Sequence, residues 1–347
     1  MRLVNMKDLV TGAAGFIGSN LTDSLLDKGR SVVGIDDFSR NYDPEQKRRN
    51  IEKALKSKNF ELKNTNILDS QSLEGLDEVD TVYHLAGQPG VQTSWGSGFE
   101  THLDRNVLTT QRLLEECLEK SVRRVVIASS SSVYGPTNRE SKETDLPHPV
   151  SPYGVSKLAA EHLASVYAER GLDVISLRLF TVYGPRQRPD MSIHRMFESV
   201  LNGEPFPLWG EGKQRRSFTF VDDIVEVFQL AGSIEKVTNR VLNAGGAEPI
   251  ELLDLIRTVE GIVGSPITLQ QLNKRPGDPE LTCASKDLVM NELGWKPKTD
   301  FKELVKIMVN EDVSKWEKWL SGERFPWDAP TYPGEDGMLS KKIKFDR

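Results

Sequence analysis

The run Pro152-Tyr153-Gly154-Val155-Ser156-Lys157 sets a phenol and an ammonium four residues apart. On a helix that spacing brings two side chains to one face. Free tyrosine titrates at about 10 and lysine is charged at neutral pH, so an ammonium beside the phenol favours the phenolate. Upstream, Ser129-Ser130-Ser131-Ser132 offers hydroxyls that can share a substrate's proton. Phenol, cation and hydroxyl form a proton-transfer set suited to oxidising an alcohol.

Such an oxidation needs a hydride acceptor, and a second motif supplies a place for one. Thr11-Gly12-Ala13-Ala14-Gly15-Phe16-Ile17-Gly18 follows an apolar run and opens a helical pattern. Gly12 permits the tight turn, Gly15 lets a pyrophosphate approach the backbone at a helix N-terminus, and Gly18 allows close helix–sheet packing. A second apolar run, Val32-Val33-Gly34-Ile35, ends in Asp36. An acid at that distance accepts from an adenosine ribose diol and repels a 2′-phosphate, which favours NAD over NADP. Arg40 is the opposing feature, since a nearby arginine can hold a 2′-phosphate, or it is a solvated loop residue. Asp8, a charge at the start of the first strand, has no explanation at this level.

These residues need a frame. Short apolar runs near 9–11, 32–36, 81–85, 124–129 and 174–179 read as strands. Helical patterns near 16–28, 45–56, 101–119 and 155–170 alternate with them, the last closed by Gly171. The alternation predicts an α/β fold with a doubly wound parallel sheet. Beyond Gly184-Pro185 the chain is richer in Pro, Gly and charge, with helices expected near 193–201 and 221–231 and a strand near 241–244. No internal repeat is present, and residues 321–347 read as irregular.

The bulk properties bound the function. The chain has 347 residues, 37% hydrophobic and 28% charged, as one large or two modest globular domains would. A net charge of −6 argues against non-specific nucleic-acid binding. Cys117 and Cys283 lie far apart, consistent with a reducing compartment and no disulfide framework. No run is long and apolar enough for a membrane span, and the N-terminus lacks the pattern of a signal peptide, so the cytoplasm is expected. The five histidines have no ligand spacing and no metal is expected; His84 reads as a core histidine.

The ordered set of motifs carries a family resemblance. It comprises the glycine motif, His84-Leu85-Ala86-Gly87, Asn106, the serines running into Val133-Tyr134-Gly135, and Tyr153-x-x-x-Lys157. Arg178-Leu179-Phe180-Thr181-Val182-Tyr183-Gly184-Pro185 and Phe218-Thr219-Phe220-Val221-Asp222-Asp223-Ile224 complete it. From about residue 6 to about 310 the chain resembles the extended short-chain dehydrogenase/reductases that act on nucleotide sugars. Asn41-Tyr42-Asp43-Pro44, the four serines and Arg188-Pro189-Asp190-Met191 make it most similar to the UDP-glucuronate 4-epimerases among them.

The resemblance implies a Rossmann-type domain over 1–180 with a return segment near 219–246, and a smaller α/β part for the nucleotide sugar over 181–218 and 247–347. It implies NAD as a catalytic cofactor held by Gly12, Gly15, Phe16, Ile17, Gly18, Asp36, Asn66, Ile67, Leu85, Ala86, Gly87, Asn106, Tyr153 and Lys157. The reaction implied is transient oxidation at sugar C4, rotation of the 4-keto sugar and re-reduction. Tyr153 acts as base and acid, Lys157 supports it, and Ser130 bonds the 4-oxygen. Substrate contacts fall to Ser130, Ser131, Ser132, Thr181, Arg188, Arg216, Arg275 and Asp278. Related dehydratases carry Asp-Glu where Ser131 and Ser132 stand, and related decarboxylases carry Glu where Ser132 stands, which disfavours elimination and decarboxylation here. Hydroxyls suit a substrate carboxylate, but serve a neutral C6 alcohol equally. UDP-glucose and UDP-N-acetylglucosamine therefore stay open as substrates, with decarboxylation and a non-catalytic NAD-binding protein as further alternatives. Helical positions Leu103, Val107, Leu114, Leu118, Leu158, His162 and Val166 read as core by periodicity and as a homodimer bundle by resemblance.

Overall fold

Aliphatic and β-branched runs bounded by glycine and polar turns become strands covered on both faces by helices, the setting that parallel sheets require. The computed structural model describes residues 7–246, 248–263 and 265–301. The first half runs β1 (Lys7–Thr11), α1 (Phe16–Asp27), β2 (Val32–Asp36), α2 (Pro44–Asn50), α3 (Glu52–Leu55), β3 (Phe60–Asn64), β4 (Val79–His84), α4 (Gly98–His102), α5 (Thr109–Glu119), β5 (Arg124–Ser130), α6 (Pro152–Glu169) and β6 (Val174–Leu179). The second runs β7 (Thr181–Tyr183), α7 (Ser192–Asn202), β8 (Phe206–Trp209), β9 (Arg215–Arg216), β10 (Phe218–Phe220), α8 (Val221–Ser233), β11 (Val241–Ala244), β12 (Ile250–Glu251), α9 (Leu252–Val263), β13 (Leu269–Leu272), β14 (Leu281–Thr282) and α10 (Asp287–Leu293).

A seven-stranded sheet has the order β11-β6-β5-β4-β1-β2-β3, and every pairing in it is parallel. The chain starts at β1, builds outward to β3, then crosses to β4 and builds the other way. The reversal opens a crevice between the carboxyl ends of β1 and β4, where ligands bind in such sheets. Smaller sheets pair β10 with β7, β8 with β13, and β9 with β12 and β14. They bring segments on either side of β11 together beside the crevice.

Both faces of the large sheet are packed. On one, Phe16, Leu21 and Leu25 of α1 meet Ile224, Val227 and Phe228 of α8. On the other, Leu113, Leu114 and Cys117 of α5 meet Ala164 and Tyr167 of α6. Full burial of one such side chain is worth roughly 1.5–3 kcal/mol. Asp8 is accounted for: Arg30 grips its carboxylate through Nε at 2.8 Å and Nη2 at 2.7 Å. Asp8 is buried and Arg30 partly exposed, so the pair closes the amino end of β1.

Three elements differ from expectation. The helix expected over 45–56 is two pieces, because Ile51 (φ −107°, ψ 6°) leaves helical geometry between α2 and α3. β3 was not anticipated: Phe-Glu-Leu-Lys-Asn has a half-exposed edge-strand pattern without an apolar run. The 101–119 helix contains a π-helical stretch, Leu103–Leu108, between α4 and α5, an irregularity frequent at functional sites. Among the described residues no helix is long and apolar enough to cross a membrane. The tail at 321–347 lies outside the described residues.

Candidate active site

The glycine turn is where backbone geometry dictates residue type. Gly12 has φ +70°, and a Cβ there would meet Ala86 N at 2.8 Å. A Cβ on Gly18 would lie 2.1 Å from Gly12 O, so α1 can approach β1 only through a glycine. Asp36, at the end of β2, accepts from the Ala14 amide at 3.0 Å and the Phe38 amide at 2.9 Å. Lys47, one turn into α2, stands with Nζ 3.5 Å from Asp36 Oδ1 and 3.2 Å from Ser39 Oγ. Asp43 caps α2 by accepting from the Glu45 amide, and Pro44 starts it; this start places Lys47.

A cleft of about 420 Å3 runs from this turn across the carboxyl ends of the strands. Gly12, Gly15, Phe16, Ile17, Gly18, Asp36, Asn66 and Ile67 line one end. Leu85, Ala86 and Gly87 form the middle, and Ser130, Ser131, Ser132, Tyr153, Lys157, Thr181 and Arg188 the other end. Arg40 is exposed and does not line it. Tyr42 of the Asn41-Tyr42-Asp43-Pro44 run does, and so do Lys47, Asp37 and Arg105, whose spacing carries no local signal. Arg105 pairs with Asp37 at 3.0 Å, presented by the π-helical stretch, and Asn66 Nδ2 donates to Asp37 at 3.4 Å. Asn66 Oδ1 accepts from the Leu68 amide at 2.9 Å, so that oxygen is already engaged. The Tyr42 hydroxyl is buried with no protein partner.

Asn106 is not on the cleft surface. Its Oδ1 accepts from the Gln88 amide at 2.8 Å, and its Nδ2 donates to Gln88 O and to Ser156 Oγ, both at 3.0 Å. It pins the loop after β4 to α6 instead of facing a ligand. His84 bonds Thr11 Oγ1 at 2.8 Å and Thr110 Oγ1 at 3.0 Å. Burial, aided by the Lys157 charge, pushes it down to about 3, so it is neutral at ordinary pH.

At the reaction end, Ser151 caps α6 by accepting from the Gly154 amide at 3.1 Å, which aims the first turn into the cleft. The Ser130 hydroxyl stands near the Tyr153 phenol and favours its ionised form. Burial raises its pKa, opposed by Ser130 and by the nearby Arg188. Lys157 Nζ donates to Ala128 O at 2.7 Å; burial lowers it to about 8, opposed by Glu161. Ser130 Oγ accepts from the Ser132 amide at 3.2 Å. Arg188 is held in a two-pronged pair with Asp190, both bonds at 2.9 Å. Tyr134 and Tyr183 are packing residues: the first bonds Asn243 Oδ1, the second sits among Phe218, Phe220 and Phe301.

Arg216, Arg275 and Asp278 gather elsewhere. Arg275 and Asp278 line a groove of about 470 Å3 with Pro136 and Val150. Arg216 Nη2 bonds Asp278 at 2.5 Å, and the Arg275 guanidinium stacks 3.6 Å over the Trp209 ring. The groove adjoins the main cleft, since Gln92 donates to Pro276 O at 3.1 Å and Gly277 packs toward Val91 of the cleft wall. Among the described residues no cluster of His, Cys, Asp and Glu could hold a metal ion.

A nucleotide turn, a paired acid after β2 and a Ser-Tyr-Lys set on one cleft agree with what sequence comparison finds. The profile of the NAD dependent epimerase/dehydratase family matches residues 9–245. The chain belongs to that family. Among its curated relatives is a Bacillus subtilis (strain 168) protein described as an uncharacterized UDP-glucose epimerase, YtcB, 40% identical over 86% of this chain and 95% of that one. A UDP-glucuronate 4-epimerase of Thermodesulfobacterium geofontis (strain OPF15) is 34% identical over 87% and 94%. Among solved structures, the UDP-glucuronic acid 4-epimerase of Bacillus cereus, in complex with UDP-glucuronic acid and NAD, superposes with a TM-score of 0.86 at 38% identity, covering 90% of this chain and all of that one. Within the epimerase/dehydratase family, the cleft fits its dinucleotide: the glycine turn leaves room where a Cβ would intrude, and Asp36 is held by two amides.

Proposed function

We propose that the protein is an NAD-dependent UDP-glucuronate 4-epimerase, converting UDP-glucuronate to UDP-galacturonate. The observation that carries the reading is the make-up of the reaction end: Ser130, Ser131, Ser132, Thr181 and Arg188 surround Tyr153 and Lys157. Among the described residues lining the cleft, the carboxylates are Asp36 and Asp37, both at the opposite end. No lining acid stands beside the serines to drive elimination of water.

Bound NAD supplies reversible hydride exchange at sugar C4. Tyr153 takes the proton of the 4-hydroxyl and later returns it, with Ser130 sharing the 4-oxygen. Lys157 and Arg188 bring positive charge to the phenolate. Gly12, Gly15 and Gly18 seat the pyrophosphate, and Asp36, flanked by Lys47, accepts from the adenosine ribose. Asn66 and Ile67 flank the adenine, and Leu85, Ala86 and Gly87 follow toward the reaction end, with Asn106 fixing the loop behind them. The 4-keto sugar acid is a β-keto acid, so its carboxylate must be held with the C–C bond out of line with the ketone. Ser131, Ser132 and Thr181 donate to it, and Arg188 adds charge. Arg216 and Arg275 face the nucleotide diphosphate and Asp278 the uridine ribose, with Arg275 and Asp278 on the adjoining groove. We assign the sugar nucleotide to the smaller sheets of 181–218 and to the described residues between 248 and 301; the rest of the expected 247–347 part lies outside the described residues.

A second reading, 4-epimerisation of UDP-glucose, is favoured by one observation: Asp190 already neutralises Arg188. Separate incubation with UDP-glucuronate, UDP-glucose and UDP-N-acetylglucosamine, followed by proton NMR, decides. A galacto-type H4 signal from UDP-glucuronate without a UDP-pentose supports the first reading. Turnover of UDP-glucose alone overturns it.

We also propose a cytoplasmic homodimer joined through α4–α6. Leu103 (42%), Leu108 (49%), Val155 (46%) and Val166 (57%) are exposed there. Leu114, expected on the same face, is instead buried within the subunit's own core. Sedimentation giving a monomer at micromolar concentration would remove the dimer.

A further inference from the structure

Three segments that deliver residues to the reaction end converge on one buried carboxylate. Tyr153, Lys157 and Glu161 follow at four-residue intervals along α6 and share a face. Glu161 is 4% exposed. Its Oε1 accepts from the Ser129 hydroxyl and from Arg178 Nε at 3.0 Å. Its Oε2 accepts from Arg178 Nη2 at 2.8 Å. Ser129 precedes Ser130 on β5, and Arg178 lies on β6 shortly before Thr181. Glu161 therefore links the helix of Tyr153 and Lys157 to β5, which ends in Ser130, and to β6, which leads into Thr181.

The same carboxylate supplies charge. Lys157 donates to the Ala128 carbonyl, a neutral partner, and Glu161 is the anion that works against its burial. The other groups facing this centre are accounted for. His84 from β4 feels the Lys157 charge and is neutral. Arg188 acts on Tyr153 from the loop before α7, and the His102 ring of α4 meets the Tyr153 ring edge-on at 5.9 Å. Arg178 stacks 4.7 Å over the Tyr134 ring and faces Glu143. A buried ion pair yields little net stability compared with apolar packing, which leaves its placement as the contribution that matters.

We propose that Glu161, locked by Arg178, is a positioning residue: its charge keeps Lys157 an ammonium, and its bond to Ser129 sets Ser130 against the Tyr153 phenol. The inference rests on proton transfer by Tyr153 and not on the identity of the sugar. The test compares NAD-loaded wild type and Glu161→Gln by two readouts. One is the pH profile of kcat/KM with the UDP-sugar that turns over. The other is the phenolate absorbance of Tyr153, taken as the difference from the matching Tyr153→Phe protein without substrate. Loss of the Glu161 charge favours neutral Lys157 and so disfavours the phenolate. The Tyr153 titration moves up and that of Lys157 moves down, each by about one pH unit, so less of the enzyme holds phenolate and ammonium together and both limbs of the active window move.

Ser129→Ala keeps both charges; it lowers kcat several-fold with the window unmoved. Glu161→Gln/Arg178→Met leaves no arginine unpaired and serves where the single variant fails to fold, with both limbs expected to move the same way but less, because the Arg178 charge leaves too. A Glu161→Gln enzyme slowed equally at every pH, with its phenolate titration unmoved, overturns the charge role. Wild-type kcat in Ser129→Ala overturns the serine role. A protein that turns over none of the UDP-sugars counts against the proposed reaction, while the phenolate titration still decides for or against Glu161.

Discussion

Lys47 Nζ lies 3.5 Å from Asp36 Oδ1, with both side chains about 5% exposed. The pair puts a buried cation beside the acid expected to select the adenosine ribose. Asp36 is restrained by two amides as well, so its carboxylate is fixed before any ligand arrives. Replacing Asp36 with Asn removes the charge and leaves Lys47 free to meet a 2′-phosphate. NAD affinity is expected to fall by roughly 1.5–3 kcal/mol, with NADP affinity rising relative to it. Calorimetric titration with both dinucleotides checks this, and an unchanged NAD/NADP ratio would remove Asp36 as the selector.

Tyr153→Phe keeps the ring packed against His102 but removes the proton carrier. Turnover is expected to drop by about 10²–10⁴-fold, while NAD remains bound. A variant retaining near-normal turnover would move the acid–base role to another group.

Arg188 acts on Tyr153, and the proposed reaction gives it the substrate carboxylate as a second partner. Arg188→Ala is expected to raise KM for UDP-glucuronate by about tenfold or more, the loss of a charged hydrogen bond, and to shift the acidic limb of the rate profile upward. Steady-state kinetics across pH separates the two effects. An equal KM change for UDP-glucose would show that the arginine does not read the carboxylate.

His84 gives a stability prediction with a definite sign. An unfolded histidine binds a proton below about 6.5, whereas folded His84 stays neutral down to about 3. Between those values the unfolded chain binds more protons, so stability falls as pH falls. Replacement by Asn, which can still bond Thr11 and Thr110, should flatten the stability curve over that window relative to wild type. Urea unfolding at several pH values reads the difference, and parallel curves would refute the assignment.

Gly18→Ala places a methyl 2.1 Å from Gly12 O, which backbone must yield to accommodate. A loss of about 1–3 kcal/mol or more is expected, with NAD binding weakened in parallel. Thermal melts with and without NAD measure it; wild-type melting in both would mean the turn has slack.

What could be read locally was read from the sequence, and what depended on distant partners was not. The apolar runs of β1, β2, β5 and β6 announce themselves because both faces are buried. β3 does not, because its exposed edge lets Glu61 and Lys63 alternate with apolar residues. The glycine turn and the Tyr153–Lys157 spacing are short-range signatures. Lys47 belongs to the cleft only because α2 folds back over Asp36. Arg105 belongs there because the π-helical stretch redirects it toward Asp37. Glu161 did carry a signal, a carboxylate one helical turn beyond Lys157, but its meaning needed Arg178 and Ser129 in space.

The outer strand Val241–Ala244 pairs with β6 long after every proton-transfer residue has passed along the chain. Asp223 of α8 in turn accepts from the amides of Lys298 and Thr299, and Trp295 donates to its carbonyl. During synthesis, a ribosome would therefore have released Ser130, Tyr153 and Lys157 while β6 still showed an open edge. An exposed edge strand invites pairing with other chains. A chain ending before β11 would contain the whole proton-transfer set and still leave the edge of β6 open to pairing.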